Sequence, residues 1–160
     1  MARGRIAFYL IALVTLSGCS SMLVKDASTE EDSKAKQFAP DSANAIVYFF
    51  RDDAFLGGDM ISNVFVGDKS VAEGARNRFN VLSAPPGHYS FTVLSNDVGA
   101  LPGLLHNVKK PALEVTLEGG SIYFVHVKWE GYRGFFLHST TKDIAEPIII
   151  KGKLISKRQL

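Results

Sequence analysis

From Ala45 onward the apolar residues recur at every second position, in short runs cut by glycine and proline. A period of two belongs to the β-strand, whose successive side chains face opposite ways, and not to the helix. Tyr89, Phe91 and Val93 alternate with His88, Ser90 and Thr92, and Leu113, Val115 and Leu117 alternate with Glu114, Thr116 and Glu118. Both read as half-buried strands, as do Phe79 and Val81 set between Arg78 and Asn80. Ile46 to Phe50 is apolar without a break and short, the pattern of a strand covered on both faces. A second strongly apolar strand is expected from Ile122 to Trp129.

The punctuation supports that reading. Gly67-Asp68 divides Val64-Phe65-Val66 from Lys69-Ser70-Val71, and glycine first in a two-residue loop permits the type II′ turn that suits a hairpin. Pro86-Gly87 offers the fixed φ and the positive φ of a type II turn. Gly119-Gly120 and the stretch Glu130 to Gly134 mark two more turns, the latter leading to Phe135 to His138. Ile148, Ile149 and Ile150 suggest a last strand or short helix, with Pro147 arguing against a long helix there. Seven or eight short strands with almost no helical period predict an all-β fold, two antiparallel sheets packed as a sandwich, with a small barrel as the alternative. Cys19 is the one cysteine, so no disulfide forms within the chain. Eleven Phe with many Val, Ile and Leu must build the core, each large side chain contributing about 1.5–3 kcal/mol when buried.

The N-terminus is of a different kind. Arg3 and Arg5 precede an uncharged apolar run, Ile6 to Leu16, and a small-residue segment ending at Cys19. That order reads as a secretory signal over residues 1–18. As a helix the run spans only about 17 Å, against the roughly 30 Å hydrocarbon core a permanent span must cross. Leu16-Ser17-Gly18-Cys19 resembles the lipobox of bacterial lipoproteins. The resemblance implies cleavage before Cys19, transfer of a diacylglyceryl group to its thiol (palmitate among the acyl chains) and a membrane anchor; an ordinary signal peptide with an incidental cysteine is the alternative. Ser20 and Ser21 follow where the same resemblance would put aspartate for inner-membrane retention, which implies the periplasmic face of the outer membrane.

Lys and Arg number 18 against 16 Asp and Glu, and losing Arg3 and Arg5 balances the two. A balanced surface calls for no nucleic acid and no strongly acidic partner. Residues 19–44 are polar, with Ser28-Thr29-Glu30-Glu31-Asp32-Ser33 at the centre, and read as a flexible tether of roughly 25–30 Å root-mean-square reach. A short helix across Ala27 to Phe38, capped by Ser28 or Thr29, is the local alternative, disfavoured because it has no apolar stripe to bury. The domain proper is then 45–160.

Several segments together resemble a family of short bacterial lipoproteins known as a domain of unknown function. They are Ala45-Ile46-Val47-Tyr48-Phe49-Phe50-Arg51, Val64-Phe65-Val66-Gly67-Asp68-Lys69, Phe79, Pro86-Gly87-His88 and Gly120-Ser121-Ile122-Tyr123-Phe124-Val125. The hairpin and the Pro-Gly-His turn are also similar to PEGA-type surface modules. Both resemblances imply a transthyretin-like or immunoglobulin-like sandwich, and neither implies an activity. Gly57-Gly58 and the connection from Ser95 to Pro111 depart from the pattern.

No nucleophile elbow, zinc-binding His-Glu-x-x-His helix, phosphate loop or cysteine pair occurs, so a non-enzymatic protein without cofactor is expected. Asp52 and Asp53, as neighbours in a strand, diverge and make no acid and base pair. Of His88, His106, His126 and His138, the pair His126 and His138 would face one another if the turn is centred on Tyr132, which would allow a shared metal ion; an ordinary hydrogen-bonded or exposed pair is the alternative. Phe55 and Leu56 in one loop, with Leu101, Leu104 and Leu105 in another, suggest a partner-facing patch, against simple packing over the sandwich end. Lys151, Lys153, Lys157 and Arg158 would attract anionic lipid or glycan, or be merely solvated. The expectation is a membrane-anchored interaction domain facing the periplasm, its partners membrane lipid through the acyl groups and an envelope protein or glycan. A small-ligand or metal-binding periplasmic module is the alternative.

Overall fold

A computed structural model describes residues 24–54, 60–96 and 112–156. The chain is a two-sheet β-sandwich with two helices laid on one outer face. Strands β1 (Ala45–Arg51), β4 (Arg78–Ala84), β7 (Ile122–Trp129), β8 (Phe135–Thr140) and the short β9 (Lys153–Leu154) form a sheet in the order β8-β7-β1-β4-β9. Strands β2 (Ile61–Val66), β3 (Lys69–Gly74), β5 (Gly87–Asn96) and β6 (Leu113–Leu117) form the other, in the order β3-β2-β5-β6. Helices α1 (Thr29–Ala35) and α2 (Lys142–Lys151) cover the first sheet.

The uninterrupted apolar run becomes β1, buried along its whole length because it has a core on each side. Ala45, Val47 and Phe49 enter the inter-sheet core with Val64, Phe91, Val93, Leu117, Val125, Val127 and Phe135. Ile46, Tyr48 and Phe50 face the opposite way, into a second core with Phe79, Phe124, Phe38 and the helix residues Ala145 and Ile149. Every pairing is antiparallel except β1 with β7 and β4 with β9. The exceptions follow from connectivity. The chain returns to β7 only after passing through the second sheet, and α2 carries it from β8 across the outer face to β9, the crossover that parallel neighbours require.

Two local expectations change, and a third holds with one addition. Pro86-Gly87 is not a type II turn: Gly87 has φ +158°, far from the roughly +80° that turn needs, and it already begins β5. The dipeptide is a corner carrying the chain from one sheet to the other. Gly67, at φ +58°, does make the tight β2–β3 turn, while Val71 is the extra residue of a bulge opposite Val64 and Phe65. Pro147 lies inside α2 rather than ending it. The ring removes one amide donor, and burial of Ala145 and Ile149 against the sheet holds the helix through that point.

The largest revision concerns the N-terminal boundary. Residues 24–44 belong to the folded domain. Asp26 forms an antiparallel bridge with Ile155, the Ala27 amide donates to Leu154 O at 2.8 Å and the Ser156 amide to Lys25 O at 2.8 Å. Ser28 and Glu31 form a capping box at the start of α1. After the helix, Phe38 takes φ +50°, which folds its ring onto Tyr48 and Phe124 at centroid distances of 5.1 and 6.0 Å. The segment has no apolar stripe, as its sequence indicates; a single aromatic and one buried carboxylate anchor it instead.

Candidate functional site

A group of titratable side chains lies on the outer face of the five-stranded sheet, at the end the chain reaches through β1. β7 and β8 are joined by a 3-10 helical turn at Gly131–Arg133, and their register places His126 directly opposite His138. Parity puts both on the side of Phe50, and the His126 ring stacks on Phe50 with centroids 4.8 Å apart and planes 11° from parallel. Each imidazole turns to a different carboxylate. His138 Nε2 lies 2.9 Å from Glu130 Oε1, while Glu130 also holds Arg133 at 2.6 Å. His126 Nε2 lies 3.4 Å from Asp52 Oδ2 without an aligned hydrogen bond, so that contact is electrostatic. Burial pushes the pKa of His126 below its ordinary value; Asp52 opposes this, whereas Lys128 and His138 add to it. His126 is therefore a neutral ring at neutral pH, with a side chain 15% exposed.

Among the described residues, no three His, Cys, Asp or Glu side chains converge to hold a metal ion. Facing strands bring His126 and His138 together, but Glu130 and Asp52 draw their ring nitrogens toward separate partners. Asp52 and Asp53 diverge: Asp52 turns to His126, and Asp53 pairs with Arg76 at 2.5 Å. On the outer face of the other sheet, Glu114 accepts from Ser90 Oγ at 2.6 Å and pairs with His88 Nε2 at 3.1 Å. A nucleophile needs its base between itself and the acid; here the carboxylate sits in the middle, an exposed cross-strand network without that order.

Beside the histidine pair, Arg51 closes the end of the sandwich. It continues the inward line of Ala45, Val47 and Phe49, is only 2% exposed, and stacks over Phe135 at 4.6 Å. Its Nη1 donates to the carbonyls of Met60 and Gly74, so one guanidinium ties β1 to the β2 and β3 ends of the opposite sheet. Gly74 is required by space: a Cβ there would fall on Ser62 Oγ and lie 2.8 Å from Val127 Cγ1. Asn80 performs a similar service at the sheet edge. Its side-chain amide donates to Glu73 O at 2.6 Å and accepts from Glu73 N at 3.2 Å, pairing with β3 as a backbone peptide would. Sequence reasoning assigned neither residue a role, although a charged residue ending the inward face of a buried strand is a readable signal for Arg51.

A third network joins the N-terminal segment to the C-terminal strand. Asp32 Oδ1 accepts from the Leu154 amide at 2.7 Å and Oδ2 from Lys36 Nζ at 2.7 Å, while Lys36 also donates to Gly152 O at 2.8 Å. Burial opposes ionisation of Asp32, but the bonds from Lys36 and Leu154 outweigh it and hold its carboxyl below the usual range. Tyr48 donates to Ala35 O at 2.6 Å, and burial pushes its hydroxyl up to about 12.

Cys19, the loop residues Phe55, Leu56, Leu101, Leu104 and Leu105, as well as His106, Lys157 and Arg158, lie outside the described residues. No family model matches the chain. It is similar to an uncharacterised protein of Haemophilus influenzae, 28% identical over 111 residues, which cover 69% of this chain and 58% of the relative. The match thus spans little more than half of that relative's length.

Proposed function

We propose that this chain is an envelope lipoprotein, anchored through Cys19 to the periplasmic face of the outer membrane, whose β-sandwich is a non-catalytic interaction domain. The observation that carries the reading is Leu16-Ser17-Gly18-Cys19 placed directly after a basic and then apolar segment too short to span a bilayer. Each buried methylene contributes about 0.8 kcal/mol to partitioning, so two or three acyl chains carried by one N-terminal cysteine hold a protein in the membrane essentially for good. The partner-facing element is assigned to Phe55, Leu56, Leu101, Leu104 and Leu105, apolar residues among glycine and polar neighbours.

The test compares the parent with Cys19→Ser in cells fed labelled palmitate. The parent is expected to carry the label and to sediment with outer membrane, and the variant to lose both. Identical labelling and fractionation of the two would end the proposal. Affinity capture from the same envelopes with Leu104→Asp addresses the patch: unchanged partners at unchanged stability would reject it.

A second reading, a small-ligand or metal-binding module, is favoured by one observation, the register that sets His126 opposite His138. Native mass spectrometry of the protein with zinc or copper, beside His126→Ala, decides it. A metal adduct lost in the variant supports the module, and no adduct removes it.

A further inference from the structure

The outward side of α2 is unusual for a helix on a protein surface. Ala145 and Ile149 point into the sheet. The opposite side, within an arc of about 120° at 3.6 residues per turn, presents Ile150, Asp143, Pro147, Lys151 and Ile144, all exposed. Ile144 is 55% exposed and Ile150 49%, two of the three large apolar residues most open to solvent among the described residues. Lys151 ends the helix, and Lys153 follows immediately in β9, also exposed. Exposed isoleucines with lysines at the helix end, Asp143 being the one acidic member of the arc, are the composition of a helix lying in the plane of a lipid interface.

Chain geometry specifies the occupant. Residues 154–156, running on from β9, pair with residues 25–27, where Lys25 O accepts from the Ser156 amide and Ala27 N donates to Leu154 O. Lys25, fixed in that pairing, is therefore six residues from Cys19, and at the 3.3–3.6 Å per residue of a fully extended chain six residues span at most about 22 Å. A tether of 25 residues would let the domain hang clear of the headgroups; a link of six does not. The strand it leads to is continuous with the end of α2 through Gly152.

We propose that the Ile144, Pro147, Ile150 and Lys151 arc of α2, together with Lys153, rests on the headgroup layer of an anionic bilayer, which leaves the outer face of the β3-β2-β5-β6 sheet turned toward the periplasm. This rests on the lipid anchor at Cys19 and adds to it an orientation. The isoleucines enter the interface, the lysines meet phosphate, and the exposed His88, Ser90, Glu114 and Thr116 face away.

The test uses the full-length lipoprotein in vesicles of phosphatidylethanolamine and phosphatidylglycerol, with a fluorophore on Ile150→Cys or, separately, on Thr116→Cys. A nitroxide on the lipid headgroup is expected to quench the first probe strongly and the second hardly at all. Ile144→Asp should abolish the difference while circular dichroism stays unchanged. Equal quenching at both sites on protein whose Cys19 peptide carries its acyl mass would overturn the orientation and leave the anchor standing. A Cys19 peptide without acyl mass would overturn the anchor and the orientation with it.

Discussion

His126 shows how a fold changes the meaning of a residue. In sequence it is one of four histidines; in the structure it is buried beside Phe50 and faces one carboxylate and two basic groups. Its folded pKa is depressed below the ordinary 6.5, so between the two values the unfolded chain binds a proton that the native state does not. Stability from this residue is complete above about pH 6.5 and falls as pH drops toward the folded pKa. Urea unfolding at pH 8 and pH 5 should show a lower midpoint at pH 5, and His126→Phe should shrink that difference. An unaltered difference in the variant would assign the acid sensitivity elsewhere. The facing of His126 and His138 was legible from the turn centred on Tyr132. Their capture by Asp52 and Glu130 was not, because it depends on where β1 and the β7–β8 turn end in space.

Elements differ in how much of their stability is local. β5 and β6 display their alternation openly, since one face meets the core and the other meets water. α1 gives a capping box and little else, seven residues that would not hold as an isolated helix. It exists because Asp32, on its inner side, bonds the Leu154 amide and Lys36. Asp32→Asn keeps the shape but loses the charge in two charge-assisted bonds, and the cost expected is about 1.5–3 kcal/mol. The loss should appear as a lowered thermal midpoint with faster proteolysis between residues 24 and 44. If cleavage there is unchanged, Phe38 and the backbone bridge to residues 154–156 hold the segment without the Asp32 charge. α2 likewise survives Pro147 through its contacts with β1 and β7 rather than through propensity.

At the scale of the whole molecule, three layers replace the two that alternation alone suggests. The five-stranded sheet is sandwiched between the four-stranded sheet and the helical layer, which is why β1 is apolar on both sides. Residues 24–44 and 142–155, distant in sequence, close the outer core together, and removing one strips the cover from Tyr48, Phe79 and Phe124. A chain starting at residue 45 should therefore be insoluble or bind a hydrophobic dye strongly, whereas one starting at residue 24 folds cooperatively. A soluble, cooperatively unfolding 45–160 fragment would show that the two sheets and α2 suffice without residues 24–44.

Strand identity, the two-sided burial of β1 and the pairing of sheets into a sandwich are written in periodicity, because burial on one face or two imposes its pattern on neighbouring residues whatever the partners are. The start of the folded region, the parallel places of β7 and β9, and the roles of Arg51, Asp32 and Phe38 are not. Each depends on a contact between segments far apart in the chain, and one buried side chain that meets a distant backbone group leaves no repeat for a local pattern to reveal.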